Sequence, residues 1–173
     1  MRQAALLLLM VPTLALSQYS GQETRDIKAL SPQEVEQYRA GAGMGYAKSA
    51  ELNHYPGPMH ALELADVLRL TPEQQAATRR LMDEHKAHAR HIGAKLVEAE
   101  GAIEALFRSG TADQVQLRDA VHAAGVLQAE YRLSHLETHR RMRALLTDEQ
   151  VKRYDHARGY AGGDSASHRG HKH

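Results

Sequence analysis

The sequence predicts an all-α protein built on an antiparallel helical hairpin whose elements run short, long, long, short. Three observations carry this. Between Met59 and about Arg158 the only proline is Pro72. Over the same stretch apolar residues recur every three or four positions, the spacing of amphipathic helices. Three helix-start motifs, Thr71-Pro72-Glu73-Gln74, Thr111-Ala112-Asp113-Gln114 and Thr147-Asp148-Glu149-Gln150, divide it where two long helices need their beginnings and ends.

Each element can be justified in order. Residues 1–17 read as a cleavable secretory signal: Arg2, an apolar run from Ala4 to Leu16 broken by Pro12, and small residues at Ala15 and Ser17. The run is far shorter than the ~20 residues that span a bilayer, so no stable membrane insertion is expected and the mature chain is placed in the periplasm. Residues 18–58 hold Gly41-Ala42-Gly43-Met44-Gly45 and Tyr55-Pro56-Gly57-Pro58 and read as a Gly/Pro-rich arm with little regular structure. One short helix is expected near 32–40, after the capping sequence Ser31-Pro32-Gln33-Glu34.

The helical core spans residues 59–158. A short helix from about Met59 to Arg69 leads into a long one that opens at Thr71 and stops at Gly110. The second long helix is capped by Thr111 and runs to about Leu145, with Arg140, Arg141 and Arg143 near its negative end. Thr147 starts the last helix, with Leu146 and Val151 as a hydrophobic staple. Residues 159–173 form a His-rich tail without an apolar residue after Ala166, expected to be disordered and able to bind metal weakly or serve only as a solvated end.

Composition narrows the function. The 173 residues carry 22 Lys and Arg against 21 Asp and Glu, 12 His, seven Tyr, one Phe and no Cys or Trp. Without cysteine there is no disulfide framework, thiolate zinc site or cysteine nucleophile. The balanced charge argues against nucleic acid as a partner. No Gly-rich phosphate loop or serine elbow is present, so an enzyme is not expected. His135-Leu136-Glu137-Thr138-His139 resembles a zinc-protease helix only superficially, because Glu137 is two residues past His135 and points about 200° away around the helix.

With the turn placed at Gly110, residues whose numbers sum to about 220 face each other across the hairpin. The two stretches Leu70-Thr71-Pro72-Glu73-Gln74 and Leu146-Thr147-Asp148-Glu149-Gln150 then lie side by side at its open end, Leu70, Thr71 and Gln74 matching Leu146, Thr147 and Gln150. This twin Leu-Thr-x-x-Gln motif, behind a signal peptide and in a helical hairpin, resembles the periplasmic Spy/CpxP family, which includes zinc-associated ZraP and metal-sensing CnrX proteins. The resemblance covers roughly residues 59–158. It implies a cradle-shaped antiparallel homodimer without ATP or catalytic residues, acting in envelope stress, protein folding or heavy-metal response. Unfolded client proteins or an envelope sensor protein would be its partners. The alternative within the family is a dedicated divalent-metal sensor or buffer without chaperone activity.

The histidines give independent support. One seam runs Leu81, His85, His88, Ile92, Leu96, Ala99, Ile103, Leu106; the other runs Leu117, Val121, Ala124, Gln128, Tyr131, His135, Thr138, Met142, Leu145. The mirror rule sets His85 opposite His135, with His88 and His139 within one or two turns. His85, His88, His135 and His139 are therefore the candidate ligands for a divalent Zn, Ni or Cu ion, with Glu84 or Met142 completing the shell. Two other readings stay open: ordinary residues at a solvent-lined seam, or an acid sensor. His60 and Glu63 are weaker candidates. Met82, Val97 and Leu133, beside the seams, are the apolar residues a second copy of the chain would cover.

Overall fold

The computed structural model describes residues 18–160; the signal at 1–17 and the tail from residue 161 onward lie outside the described residues. Among the described residues every regular element is a helix: α1 (Pro32–Ala40), α2 (Lys48–Glu51), α3 (Pro58–Glu63), α4 (Ala65–Leu68), α5 (Pro72–Ser109), α6 (Gln114–Leu145) and α7 (Asp148–Arg158). The all-α class is as the sequence predicts. The element count is not. The helix expected over 59–69 is two, broken at Leu64, and Ala61 and Leu68, one from each piece, are both fully buried in one apolar cluster. None of the described helices is long and apolar enough to cross a membrane.

Helices α5 and α6 pack along each other. Gln74 bonds to Gln150, Glu84 to Arg141 and His85 to His135, so rising numbers in α5 meet falling numbers beyond the turn. Gly110 ends α5 in the left-handed conformation at φ 70°, as a glycine stop should. The next cap departs from expectation: Asp113, not Thr111, is the N-cap of α6. Its carboxylate accepts from the amides of both Val115 and Gln116, while the Thr111 hydroxyl pairs with Ser109 across the turn.

Two apolar clusters hold the structure. One, at the open end, joins Leu68, Leu70, Leu81, Met142, Leu146, Val151 and Tyr154. The other joins Ala89, Ile92, Leu96, Val97, Ala124 and Tyr131 to Tyr38 of α1, with Ile27, Leu30, Val35, Met44 and Tyr46 against it. The short helix expected near 32–40 is α1, and the second cluster shows that the arm of residues 18–58 packs against the core. α1 lies against α5, and the arm supplies one wall of the core. Val97, which a second copy was expected to cover, is covered by the arm instead and is 3% exposed.

Gly93 makes this contact possible. A Cβ placed there would stand 2.0 Å from the Tyr38 carbonyl oxygen, so α1 reaches α5 only because this helical position has no side chain. Tyr38 then meets Tyr131 edge-on at 5.2 Å, and the Tyr131 hydroxyl donates to the Ala42 carbonyl at 2.6 Å.

Candidate functional site

Between the two apolar clusters lies a polar layer made by His85 of α5 and Ser134, His135 and Thr138 of α6. His135 is 5% exposed, an unusual place for an imidazole. Its Nδ1 lies 3.1 Å from His85 Nε2, and His85 Nδ1 lies 3.2 Å from Ser134 Oγ. His135 Nε2 is buried with no hydrogen-bond partner among the described residues. A bare lone pair is the cheaper group to leave unpaired. The favoured relay therefore runs from His135 Nδ1–H to His85 Nε2 and from His85 Nδ1–H to Ser134, leaving His135 Nε2 as an unprotonated donor nitrogen.

The surroundings keep both rings neutral. Burial pushes His85 down to about 4, helped by repulsion from His139 and then His88. Burial likewise pushes His135 down to about 4, with His85 and His139 adding to it. Above both values the pair presents imidazole nitrogens, the protonation state a metal ligand needs. Two tyrosine rings flank His135: Tyr131 lies 4.8 Å from its ring, and Tyr46 stacks nearly parallel to it at 6.3 Å.

The other predicted ligands fall elsewhere. His88 is exposed, because the buried seam of α5 passes through Ala89 rather than His88 on its way to Ile92. His139 is turned toward the arm, where its Nδ1 donates to the Tyr55 carbonyl at 2.8 Å and lies 3.5 Å from Glu51. Glu84 is exposed and bonded to Arg141 at 2.9 Å. Met142 is wholly buried in the open-end cluster and serves as core. His60 pairs with Glu63 at 2.9 Å, away from the layer on α3. As packed, the six residues do not fit a divalent ion. His85 Nε2 and His135 Nδ1 face each other in a hydrogen bond, and among the described residues no three His, Asp or Glu converge on a point that could hold a metal.

The twin motifs sit where the mirror register put them. Thr71 Oγ1 accepts from the Gln74 amide at 3.2 Å while Gln74 Oε1 accepts from the Thr71 amide at 3.0 Å. Thr147 and Gln150 repeat this at 3.2 and 2.9 Å. Leu70 and Leu146 are buried in the cluster beneath. Glu137 is engaged by Arg140, two bonds of 2.6 and 2.7 Å, out on the exposed face.

Sequence reasoning missed the arm's contribution. Glu51 accepts from Tyr154 at 2.5 Å and from Tyr160 at 3.3 Å, and His54 bonds to Asp155 at 2.7 Å, tying the arm to α7. The usable signals were the arm's tyrosines and Gly93 in the middle of a long helix. A family model described as heavy-metal resistance matches residues 39–153. The chain belongs to that heavy-metal resistance family. It thereby joins the Spy/CpxP/ZraP-like helical proteins, and the matched stretch takes in the arm from Arg39 onward as well as both Leu-Thr-x-x-Gln motifs. No curated protein and no solved structure matches the chain.

Proposed function

We propose that this heavy-metal resistance family member is a periplasmic, metal-responsive helical protein of the Spy/CpxP type, with the His85–His135 pair as its responsive element. The observation that carries this is the buried, neutral imidazole pair in the polar layer, with an unpartnered nitrogen on His135. A purely structural layer would be filled more cheaply by apolar residues, since each buried polar group must be satisfied to avoid a penalty. A second role, as an ATP-independent chaperone, is favoured by one observation. Val115, Val126 and Leu133 are 56%, 44% and 63% exposed on one face of α6, at positions 11 and 7 residues apart. That face suits an unfolded client or a second copy in a cradle-shaped homodimer.

The test is complementation. Cells lacking the gene are challenged with Zn, Ni and Cu salts while expressing either the wild-type protein or His85→Ala/His135→Ala, and the purified proteins are compared in a client-aggregation assay. Loss of metal tolerance with aggregation suppression intact supports the metal role alone. Tolerance unaffected by the double substitution rejects it.

A further inference from the structure

We propose that the cleft between α2 and α6 binds a small anionic amphiphile, a carboxylate on an apolar body, through Lys48 and Arg132. This role is separate from the metal-responsive one. Among the described residues no histidine lines the cleft, and no segment has to move to open it.

The cleft is formed by the backbone and held by the core. Met44 and Gly45 are successive residues in the left-handed region, at φ 45° and 78°. That conformation is unfavourable for a residue with a Cβ, and positions of this kind gather at binding sites, where surrounding packing holds them. Met44 and Tyr46 both pack against the second apolar cluster, so this wall is fixed before any ligand arrives. Between it, α2 and α6 lies a cavity of about 560 Å³. A pre-formed cavity spares the ligand the cost of ordering its site.

The lining calls for an apolar body. Met44, Tyr46 and Leu52 face the cavity, and Leu52 is left 51% exposed. Burying it under a hydrocarbon is favourable, and the flexible thioether of Met44 adapts to the shape of the occupant.

The charge calls for an anionic head. Lys48 and Arg132 both line the cleft, while no Asp or Glu among the described residues does. The acid of α2, Glu51, is turned away to accept from Tyr154 and Tyr160. Arg132 stands out within its own helix: Arg118, Arg140, Arg141 and Arg143 of α6 each pair with a carboxylate, and Arg132 pairs with none among the described residues. The Lys48 ammonium is likewise without an ion pair there. A guanidinium takes a carboxylate through two parallel hydrogen bonds, and the ammonium adds a second positive charge at the same mouth.

Size favours a small molecule over a polypeptide. Cavities of ~300–1,000 Å³ are typical of small-molecule sites, whereas a stable protein interface takes about 20–30 residues a side.

Octanoate at neutral pH, below its micelle concentration, is the probe, titrated into the full chain and followed by backbone amide NMR. Acetate supplies the anion without the body, and 1-octanol the body without the anion. Octanoate should shift the amides of Tyr46, Leu52 and Arg132 and bind at least about tenfold more tightly than either control. Lys48→Gln and Arg132→Gln remove exposed charges that support nothing else in the fold, so each should weaken octanoate about three- to tenfold without changing the melting temperature. Leu52→Ser should weaken it too, and Lys95→Gln, an exposed lysine away from the cleft, should not.

Octanoate that leaves those three amides unshifted overturns the proposal. So does octanol binding as tightly as octanoate, or octanoate affinity unchanged in the Lys48→Gln/Arg132→Gln double variant. A short peptide of alternating Glu and Leu that displaces octanoate and binds more tightly through the same two cations would overturn the small-molecule assignment and make the cleft a polypeptide site.

Discussion

The side-chain amides of Gln74 and Gln150 face each other head to tail across the open end of the hairpin, each nitrogen donating to the other's oxygen at 2.9 Å. Both oxygens at the same time accept from the backbone of their own capping box, and both nitrogens reach a second carbonyl, that of Leu145 or of Arg69. The glutamines of the two motifs thus do more than close their own helices. They join the start of α5 to the start of α7.

A carboxylate cannot donate, so Gln74→Glu and Gln150→Glu each remove two hydrogen bonds and set a charge against the partner's oxygen. Each is expected to destabilise the protein by about 1–3 kcal/mol. In a double-mutant cycle, Gln74→Ala and Gln150→Ala should couple by about 0.5–3 kcal/mol, because the partner of either is already orphaned once the other is gone. Urea unfolding of the four proteins measures this.

The capping assignments separate three threonines. Thr71→Ala and Thr147→Ala should each cost about 0.5–2 kcal/mol, whereas Thr111→Ala should change stability by about 0.5 kcal/mol or less. Asp113→Ala should behave like the first two, because Asp113 is the cap in use. Thermal melts decide it. Any suppression of client aggregation should fall only as these variants unfold, and a Thr71→Ala protein that melts like wild type but no longer protects clients would make the motif part of a working surface.

Sequence periodicity and caps made the long helices and their register readable, down to the His85–His135 contact, because these depend on local spacing and on one turn at Gly110. The rest of the site depends on long-range packing that no local signal encodes. His88 sits at an acceptable seam position by spacing alone, but the arm pulls the buried stripe toward Ala89 and Gly93. His139 has the right separation from His135, yet the Tyr55 carbonyl claims its ring. The arm itself was opaque because Gly and Pro density marks irregular backbone, and irregular backbone can still be tightly packed when tyrosines such as Tyr38 and Tyr46 anchor it.

Gly93→Ala tests that anchoring. Helix propensity alone favours alanine by about 1 kcal/mol. The close approach of the Tyr38 carbonyl outweighs this, since overpacking typically costs about 1–3 kcal/mol and here the obstacle is backbone rather than a flexible side chain. The variant should be less stable than wild type and should be cut more readily by protease within residues 18–58, as mapped by mass spectrometry. A stabilised variant would place the arm elsewhere.

Acid should weaken the fold through the polar layer. Both histidines take up protons at about 4 when folded, against an ordinary value near 6.5 when unfolded. Below about pH 6.5 the unfolded chain gains protons that the folded one refuses, so the stability present above that pH is lost progressively down to about 4. The melting temperature of the wild type should fall over this window, and His85→Leu/His135→Leu should flatten that fall. Equal pH slopes in the two proteins would mean that other groups govern the acid response.

The most direct measurement is calorimetric titration of Zn, Ni and Cu into three proteins at neutral pH: the wild type, His85→Ala/His135→Ala, and a chain ending at Tyr160. Binding should survive the truncation, be lost or reduced at least tenfold in the double variant, and weaken as the pH falls toward about 4, where His85 and His135 protonate. Binding abolished by the truncation and untouched by the double substitution would assign the metal to the tail and leave His85 and His135 as structural residues.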